Sequence, residues 1–411
     1  MIPFSPPRID DKIIDEVIAS LKSGWITTGP RTKEFERQLA AYCGVEKVLA
    51  INSWTAGAEM LLHWFGIQKG DEVIVPAYTY CATANIVVHC GAKVIMVDVN
   101  EDFTINLDKI KKAITPRTKA IIPVDVAGLP VDYDAIMSLV NEVEIKKQFT
   151  PNTERQNKLG RIMVLNDAAH SFGAFYKGKK VGNQCDFTVF SFHAVKNLTT
   201  AEGGAIAMNL PSPFNNTELY SELNTYSLHG QNKDALAKTQ KGSWEYDVID
   251  AGYKCNMTDI LASIGLIELS RYDNDTLIRR REIVEKYNQL LSKNKWAIIP
   301  ISKDENRESS YHLYLLRVEG ITIEQRNDII QKIFDKNVSV NVHYKPLPLL
   351  TAYKSRGYSL VDYPMSRALW ENEISLPIFY SMTDEMVLEV VNAVVSSYND
   401  VISIANSSNI L

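Results

Sequence analysis

The feature that most constrains this chain is an alternation through its first half. Short apolar runs rich in β-branched residues are separated by segments with helical spacing. VLAIN (48–52), GDEVIVP (70–76), AKVIMVDV (92–99), KAIIPVDVAG (119–128) and RIMVLNDAA (161–169) read as strands. AGAEMLLHWFGI (56–67) and the stretch from Ala82 to His89 read as helices between them. Strands apolar on both faces predict a mostly parallel, buried sheet covered by helices on both sides. A further helix is expected where Phe35, Leu39 and Tyr42 recur at near-helical spacing.

A chain of 411 residues is long for one core and suits two domains. The character changes after Met257, where one long helix is expected from about Asp259 past Tyr287, with a break near Ser270. YHLYLLRV (311–318) and VSVNVHY (338–344) then read as shorter strands of a smaller C-terminal α/β unit. The boundary is placed at 265, giving a large domain (1–265, with the N-terminal lead) and a small one (266–411). The polar stretch 141–160 reads as a charged surface excursion, and the final ten residues as frayed.

A formal charge of −5 argues against nonspecific nucleic-acid binding but leaves room for an anionic substrate at a locally positive site. Five scattered cysteines without a CxxC pair suggest reduced thiols. No signal-peptide core and no apolar run of membrane-spanning length are present, so a cytoplasmic location and no membrane insertion are expected. The seven histidines show no metal-ligand spacing, and no metal site is proposed.

Chemistry is concentrated at strand ends. Asp167 follows one apolar strand, where a carboxylate could pair with a protonated pyridine nitrogen or simply serve as a cap. Lys196 follows VFSFH (189–193), where lost solvation would make its amine nucleophilic; an exposed lysine is the plainer alternative. Gly203 and Gly204 allow close backbone approach beside it. NSWTAGAE (52–59) passes from strand to helix, so its amides could cradle a phosphate. Thr55 and Ser191 would add hydroxyls there, while Ser53 or Thr55 could equally be a cap without a ligand. Tyr80 could stack on a planar ring or fill a core or an interface.

The order and spacing of these segments resemble the DegT/DnrJ/EryC1/StrS family of sugar aminotransferases. The resemblance runs through GWITTGPRTKEFE (24–36), SWTAGAE (53–59), GDEVIVPAYTYCATAN (70–85) and NDAAHSFGAFYKGKKVG (166–182). It continues through SFHAVKNLTTAEGG (191–204), GYKCNMTDI (252–260), NVHYKP (341–346) and ISLPIF (374–379). It implies a fold-type-I transferase dependent on pyridoxal 5′-phosphate (PLP). Lys196 would carry the covalent imine link, Asp167 would meet the pyridine nitrogen, and Tyr80 would stack on the ring. Thr55, Ala56 and Ser191 would hold the phosphate, His170 would lie near the cofactor oxygen, and Asn256 would reach the phosphate of the partner in a homodimer. Trp54 departs from the glycine common in the family and is expected to point into the core.

The motifs are most similar to those of enzymes forming UDP-4-amino-4-deoxy-L-arabinose and related 4-aminotransferases. That implies glutamate as amino donor and a nucleotide-linked ketosugar as acceptor, with C4 of a UDP-sugar favoured. His343, Tyr344 and Lys345 could receive the sugar nucleotide, and Trp25 and Thr28 could close the site or serve as core and turn residues. Two other readings stand beside this one: a sugar dehydratase of the same fold, in which histidine would replace the lysine, and a regulatory protein that binds the cofactor without turnover.

Overall fold

The computed structural model describes residues 1–232 and 245–408. Its centre is a seven-stranded sheet. In spatial order the strands are Lys47–Ile51, Gly204–Met208, Phe187–Ser191, Met163–Asp167, Thr118–Ile121, Glu72–Pro76 and Lys93–Val97. Only Gly204–Met208 runs against the others, pairing antiparallel with both neighbours. The predicted mostly parallel sheet is therefore what forms. Alternate side chains feed two cores: Val164, Phe190 and Ala205 enter one, and Leu165, Val189 and Ile206 the other.

The expected helices form as Pro30–Cys43, Trp54–Phe65 and Ala82–His89. Phe35 and Leu39 on the first are fully buried. The long helix after Met257 starts at Asp259, capped by the Thr258 side chain, and runs to Arg271. A π-turn at Tyr272–Thr276 interrupts it before Leu277–Leu291. The break lies just past Ser270, because Tyr272 is fully buried and sends its hydroxyl to the Phe172 carbonyl at 2.7 Å.

A second, three-stranded antiparallel sheet contains Tyr314–Val318 flanked by Ala297–Ile298 and Glu373–Leu376. The stretch 338–344 is not the strand its alternation suggested. Val338 and Asn341 make only single bridges, to Ile2 and Ser375, and the backbone is spent instead on the loop that enters the site. The excursion at 141–160 is also more ordered than its polarity implied. It folds into helices Val143–Gln148 and Glu154–Leu159, with Ile145 and Gln156 buried. The last helix runs from Asp384 to Ser408, so most of the tail expected to fray is helical; residues 409–411 lie outside the described residues.

Trp54 is buried, as expected. All five cysteines are free thiols. No helix among the described residues is long and apolar enough to cross a membrane.

Candidate active site

A cavity of about 400 Å³ opens at the carboxyl ends of the central strands, the usual ligand position in an open α/β sheet. Asp167 ends the strand Met163–Asp167, and Lys196 lies five residues past the end of Phe187–Ser191. These adjacent parallel strands bring both residues into one cavity wall.

Asp167 is 4 % exposed. It accepts hydrogen bonds from Thr83 Oγ1 at 2.9 Å and the Ala169 amide at 3.2 Å. Burial pushes its pKa up to about 7, against the pull of those donors and of Lys196. Burial also lowers Lys196 to about 8, partly offset by Asp167. An acid shifted up and an amine shifted down leave both groups able to exchange a proton near neutrality.

The anion cradle sits beside this pair. Ser53 caps the helix Trp54–Phe65, accepting the Ala56 amide at 3.1 Å. Ala56 therefore spends its N–H inside the cap, and Ser53, Trp54 and Thr55 line the cavity at the positive end of the helix. Gly204 is what lets strand and helix meet. A Cβ there would lie 2.8 Å from the backbone of Ser53 and Trp54. Ser191, directly across the ladder from Gly204, adds its hydroxyl to the lining.

Tyr80 overhangs the cavity and is 60 % exposed; its ring lies 5.9 Å from that of Tyr344. His170 lines the same space but commits both ring nitrogens to the protein. Its Nδ1 accepts the Ala127 amide at 3.3 Å, and its Nε2 lies 2.8 Å from the Tyr344 hydroxyl. Burial and nearby Lys196 hold it well below the usual imidazole range, so it is neutral with its hydrogen on Nε2. Tyr344 then accepts from His170 and keeps its own hydroxyl hydrogen for the cavity.

His343 and Tyr344 line the cavity, whereas Lys345 is exposed and outside the lining. Trp25, Thr28 and Asn256 do not line it either. Thr28 is buried, donates to the Met257 carbonyl at 2.6 Å and accepts from Asn256 Nδ2 at 2.6 Å. Trp25 is half-buried in the same N-terminal loop.

Several participants were not singled out from sequence. Thr83 was concealed within a helical segment, although it lies one turn after Tyr80. His312 sits inside an apolar strand-like run; its ring centroid is 4.3 Å from that of His170. Phe4 reaches the cavity from the N-terminal lead and stacks on His343 at 5.4 Å.

The sequence matches the DegT/DnrJ/EryC1/StrS aminotransferase family over residues 7–147 and 154–395. A Methanocaldococcus jannaschii protein, MJ1066, is 39% identical over 398 residues, spanning 96% of each chain. The spore coat polysaccharide biosynthesis protein SpsC of Bacillus subtilis is 36% identical over 402 residues, again 96% of each. Among solved structures, the putative sugar aminotransferase Spr1654 of Streptococcus pneumoniae in its PMP form superposes with a TM-score of 0.93 at 46% identity. That match covers 98% of this chain and 100% of the other. Spr1654 has also been solved in a PLP form, which superposes with a TM-score of 0.92 at 45% identity over 97% of this chain and 99% of that one. The fold-type-I architecture and the pairing of a strand-end lysine with a buried carboxylate thus meet a family match over most of the chain, and the protein belongs to the PLP-dependent DegT/DnrJ/EryC1/StrS aminotransferases.

Proposed function

We propose that this aminotransferase moves an amino group from glutamate to a nucleotide-linked ketosugar, at C4 of a UDP-sugar. The observation that carries the reading is the single cavity holding Lys196, Asp167 and the helix N-terminus at Ser53–Thr55. The residues fit PLP. A buried carboxylate suits a protonated ring nitrogen, a helix N-terminus with hydroxyls suits a phosphate, and a desolvated amine suits an aldehyde. When bound there, PLP supplies an electron sink for the carbanion formed at the reacting carbon.

The protein's own part is proton traffic and orientation. Lys196 takes the proton from the donor carbon and returns it on the other side of the reacting system, then runs the same transfer in reverse for the sugar. Asp167, held by Thr83 and Ala169, keeps the ring nitrogen protonated. Thr55 and Ser191 anchor the phosphate, with Ala56 supporting the cap that aims the helix. Tyr80 covers the ring, and His170 acts through the Tyr344 hydroxyl it orients. His343, Tyr344 and Lys345 receive the sugar nucleotide.

The remaining candidates favour a homodimer. Asn256, Thr28 and Trp25 lie outside the cavity of their own chain, and in this reading they complete the partner's site. The division at residue 265 follows the same logic: the first part carries the PLP-binding groups, the second brings the 343–345 loop to the cavity. The sugar class is supported by Spr1654, described as a putative sugar aminotransferase, and by SpsC, named for polysaccharide biosynthesis. Retention of Lys196 disfavours the dehydratase reading, and the Lys196–Asp167 arrangement disfavours a regulatory protein without turnover.

A matched panel of 3-keto and 4-keto sugars carrying UDP, dTDP or GDP tests the proposal, with glutamate as donor and NMR of the product. Amination at C4 of the UDP-sugar with release of 2-oxoglutarate is expected. Efficient C3 amination with little at C4 would refute the position, a preference for dTDP or GDP the nucleotide, and no 2-oxoglutarate the donor.

A further inference from the structure

We propose that Glu373 is a positioning residue that sets, through Ser375, which ring nitrogen of His343 carries hydrogen toward the cavity. Glu373 opens the strand Glu373–Leu376 and is fully buried. Its Oε2 accepts the His343 backbone amide at 3.0 Å, and its Oε1 lies 2.5 Å from Ser375 Oγ. Ser375 Oγ in turn lies 2.8 Å from His343 Nδ1, which leaves Nε2 as the ring nitrogen available to the cavity.

The hydrogens in this chain move together. With Glu373 ionised, the serine donates to the carboxylate and must accept from Nδ1–H, so Nε2 presents a lone pair. With Glu373 protonated, Oε2 remains the nearer acceptor of the His343 amide, at 3.0 Å against 3.2 Å for Ser375 Oγ. The acid hydrogen therefore sits on Oε1 and is given to Ser375; the serine donates to Nδ1, and Nε2 carries the hydrogen.

Burial raises the Glu373 pKa to about 8, while Ser375, the His343 amide and Arg326 pull it down. The same cavity lowers His343 to about 4, chiefly by burial and then by Lys196, so the imidazole stays neutral while Glu373 titrates. The carboxyl also faces Tyr344 from the cavity wall, the buried Tyr78, and Arg317 opposite it in the ladder. A sugar hydroxyl can donate to Nε2 or accept from it, so the relay would make acceptor binding sensitive to pH. That use rests on the ketosugar reading, but the tautomer does not.

The test is NMR of the PLP-loaded full chain with ¹⁵N in its seven histidines, the His343 signals being those lost in His343→Gln. In wild type, Nε2 should be protonated at about pH 6 and pyridine-like at about pH 10, two units either side of the raised carboxyl value. Glu373→Gln should hold Nε2 protonated throughout: its oxygen takes the place of Oε2, the nearer acceptor of the His343 amide, so its NH₂ faces Ser375. Ser375→Ala should remove the pH step. Unchanged hydrogen occupancy in wild type across this range, or Glu373→Gln tracking wild type, would overturn the proposal. Should Glu373→Gln fail to fold, the wild-type titration and Ser375→Ala decide. In kinetics, KM for the sugar should change about threefold or more across the same midpoint, a loss that accompanies losing one hydrogen bond. An NMR step without a KM step would overturn the substrate contact, whereas product formation tests the sugar reading separately.

Discussion

The two walls of the cavity handle protons differently. On the wall built by the large sheet, burial pushes Asp167 up to about 7, against the pull of Ala169, Thr83 and Lys196, and lowers Lys196 to about 8. On the wall built by the 343–345 loop and the small sheet, His343, Tyr344, Ser375 and Glu373 form hydrogen-bonded chains whose members stay neutral near pH 7. The first arrangement can exchange a proton with a reacting carbon. The second gains or loses a proton only at Glu373, which lies outside the cavity lining, and so offers the cavity a choice of donors and acceptors. The difference assigns bond-making to one wall and recognition to the other, and substitutions on each wall should separate the two.

The largest effect is expected at Lys196. In the proposed reading Lys196→Ala removes both the amine that bonds PLP and the group that carries the proton, so transamination should fall by 10³-fold or more, on the order of what a general base contributes together with covalent catalysis. Borohydride reduction and peptide mass analysis of the wild type should place a pyridoxyl group on Lys196. A label on another lysine would move the chemistry to a different wall altogether.

Asp167→Asn comes next. The substitution keeps the shape and the Thr83 contact but removes the negative charge that, in the proposed reading, faces the ring nitrogen. Both half-reactions should slow by roughly 10²-fold, as expected when a buried ionic partner is lost. The comparison breaks if only the sugar half-reaction responds, because Asp167 would then behave like a residue of the recognition wall.

The reaction wall was far more legible in the sequence than the recognition wall, and the reason is local geometry. Asp167 and Lys196 each come shortly after a largely apolar run, and neighbouring parallel strands necessarily end at the same edge. The pattern placed both residues at strand ends as candidates, but that the two strands are neighbours and that Lys196 is buried came only with the structure. Glu373 and His312 gave no such signal. Each sits in a short strand-like run where period-two alternation predicts only inside or outside, and nothing in the run shows what lies across the interior. The loop at 338–344 departs from its strand-like alternation for a related reason: its bridge partners, Ile2 and Ser375, come from the far N-terminus and from a later strand of the small sheet. Ala56 shows a finer limit. The helix N-terminus was foreseen, yet which amide the Ser53 cap would consume depended on the rotamer it took.

A smaller effect is expected at Tyr344. Its hydroxyl accepts from neutral His170 and has one hydrogen left for the cavity. Tyr344→Phe removes that donor and leaves His170 Nε2–H without its acceptor, a loss worth about 1–2 kcal/mol, or roughly tenfold. On a recognition wall this should appear mainly in KM for the sugar. A matching drop in kcat of the glutamate half-reaction would show that the hydroxyl serves the reacting carbon, and would blur the division between the walls.

Lys345 is where the division should be hardest to detect, and for that reason the measurement is useful. The side chain is exposed and lies just beyond Tyr344, outside the cavity lining. An exposed ammonium meets a diphosphate through water and salt, and such a pair contributes about 0–1 kcal/mol. Lys345→Ala should therefore raise KM for the nucleotide sugar no more than about fivefold, leave kcat within about twofold, and lose even the KM effect at high ionic strength. An uncharged ketosugar lacking the nucleotide should not register the substitution at all, because it carries no phosphate for the lysine to attract. A KM effect above about tenfold that survives salt would require Lys345 to be desolvated against the diphosphate. The 343–345 loop would then have to move inward when the sugar nucleotide binds, and the recognition wall would be built by the substrate as much as by the fold.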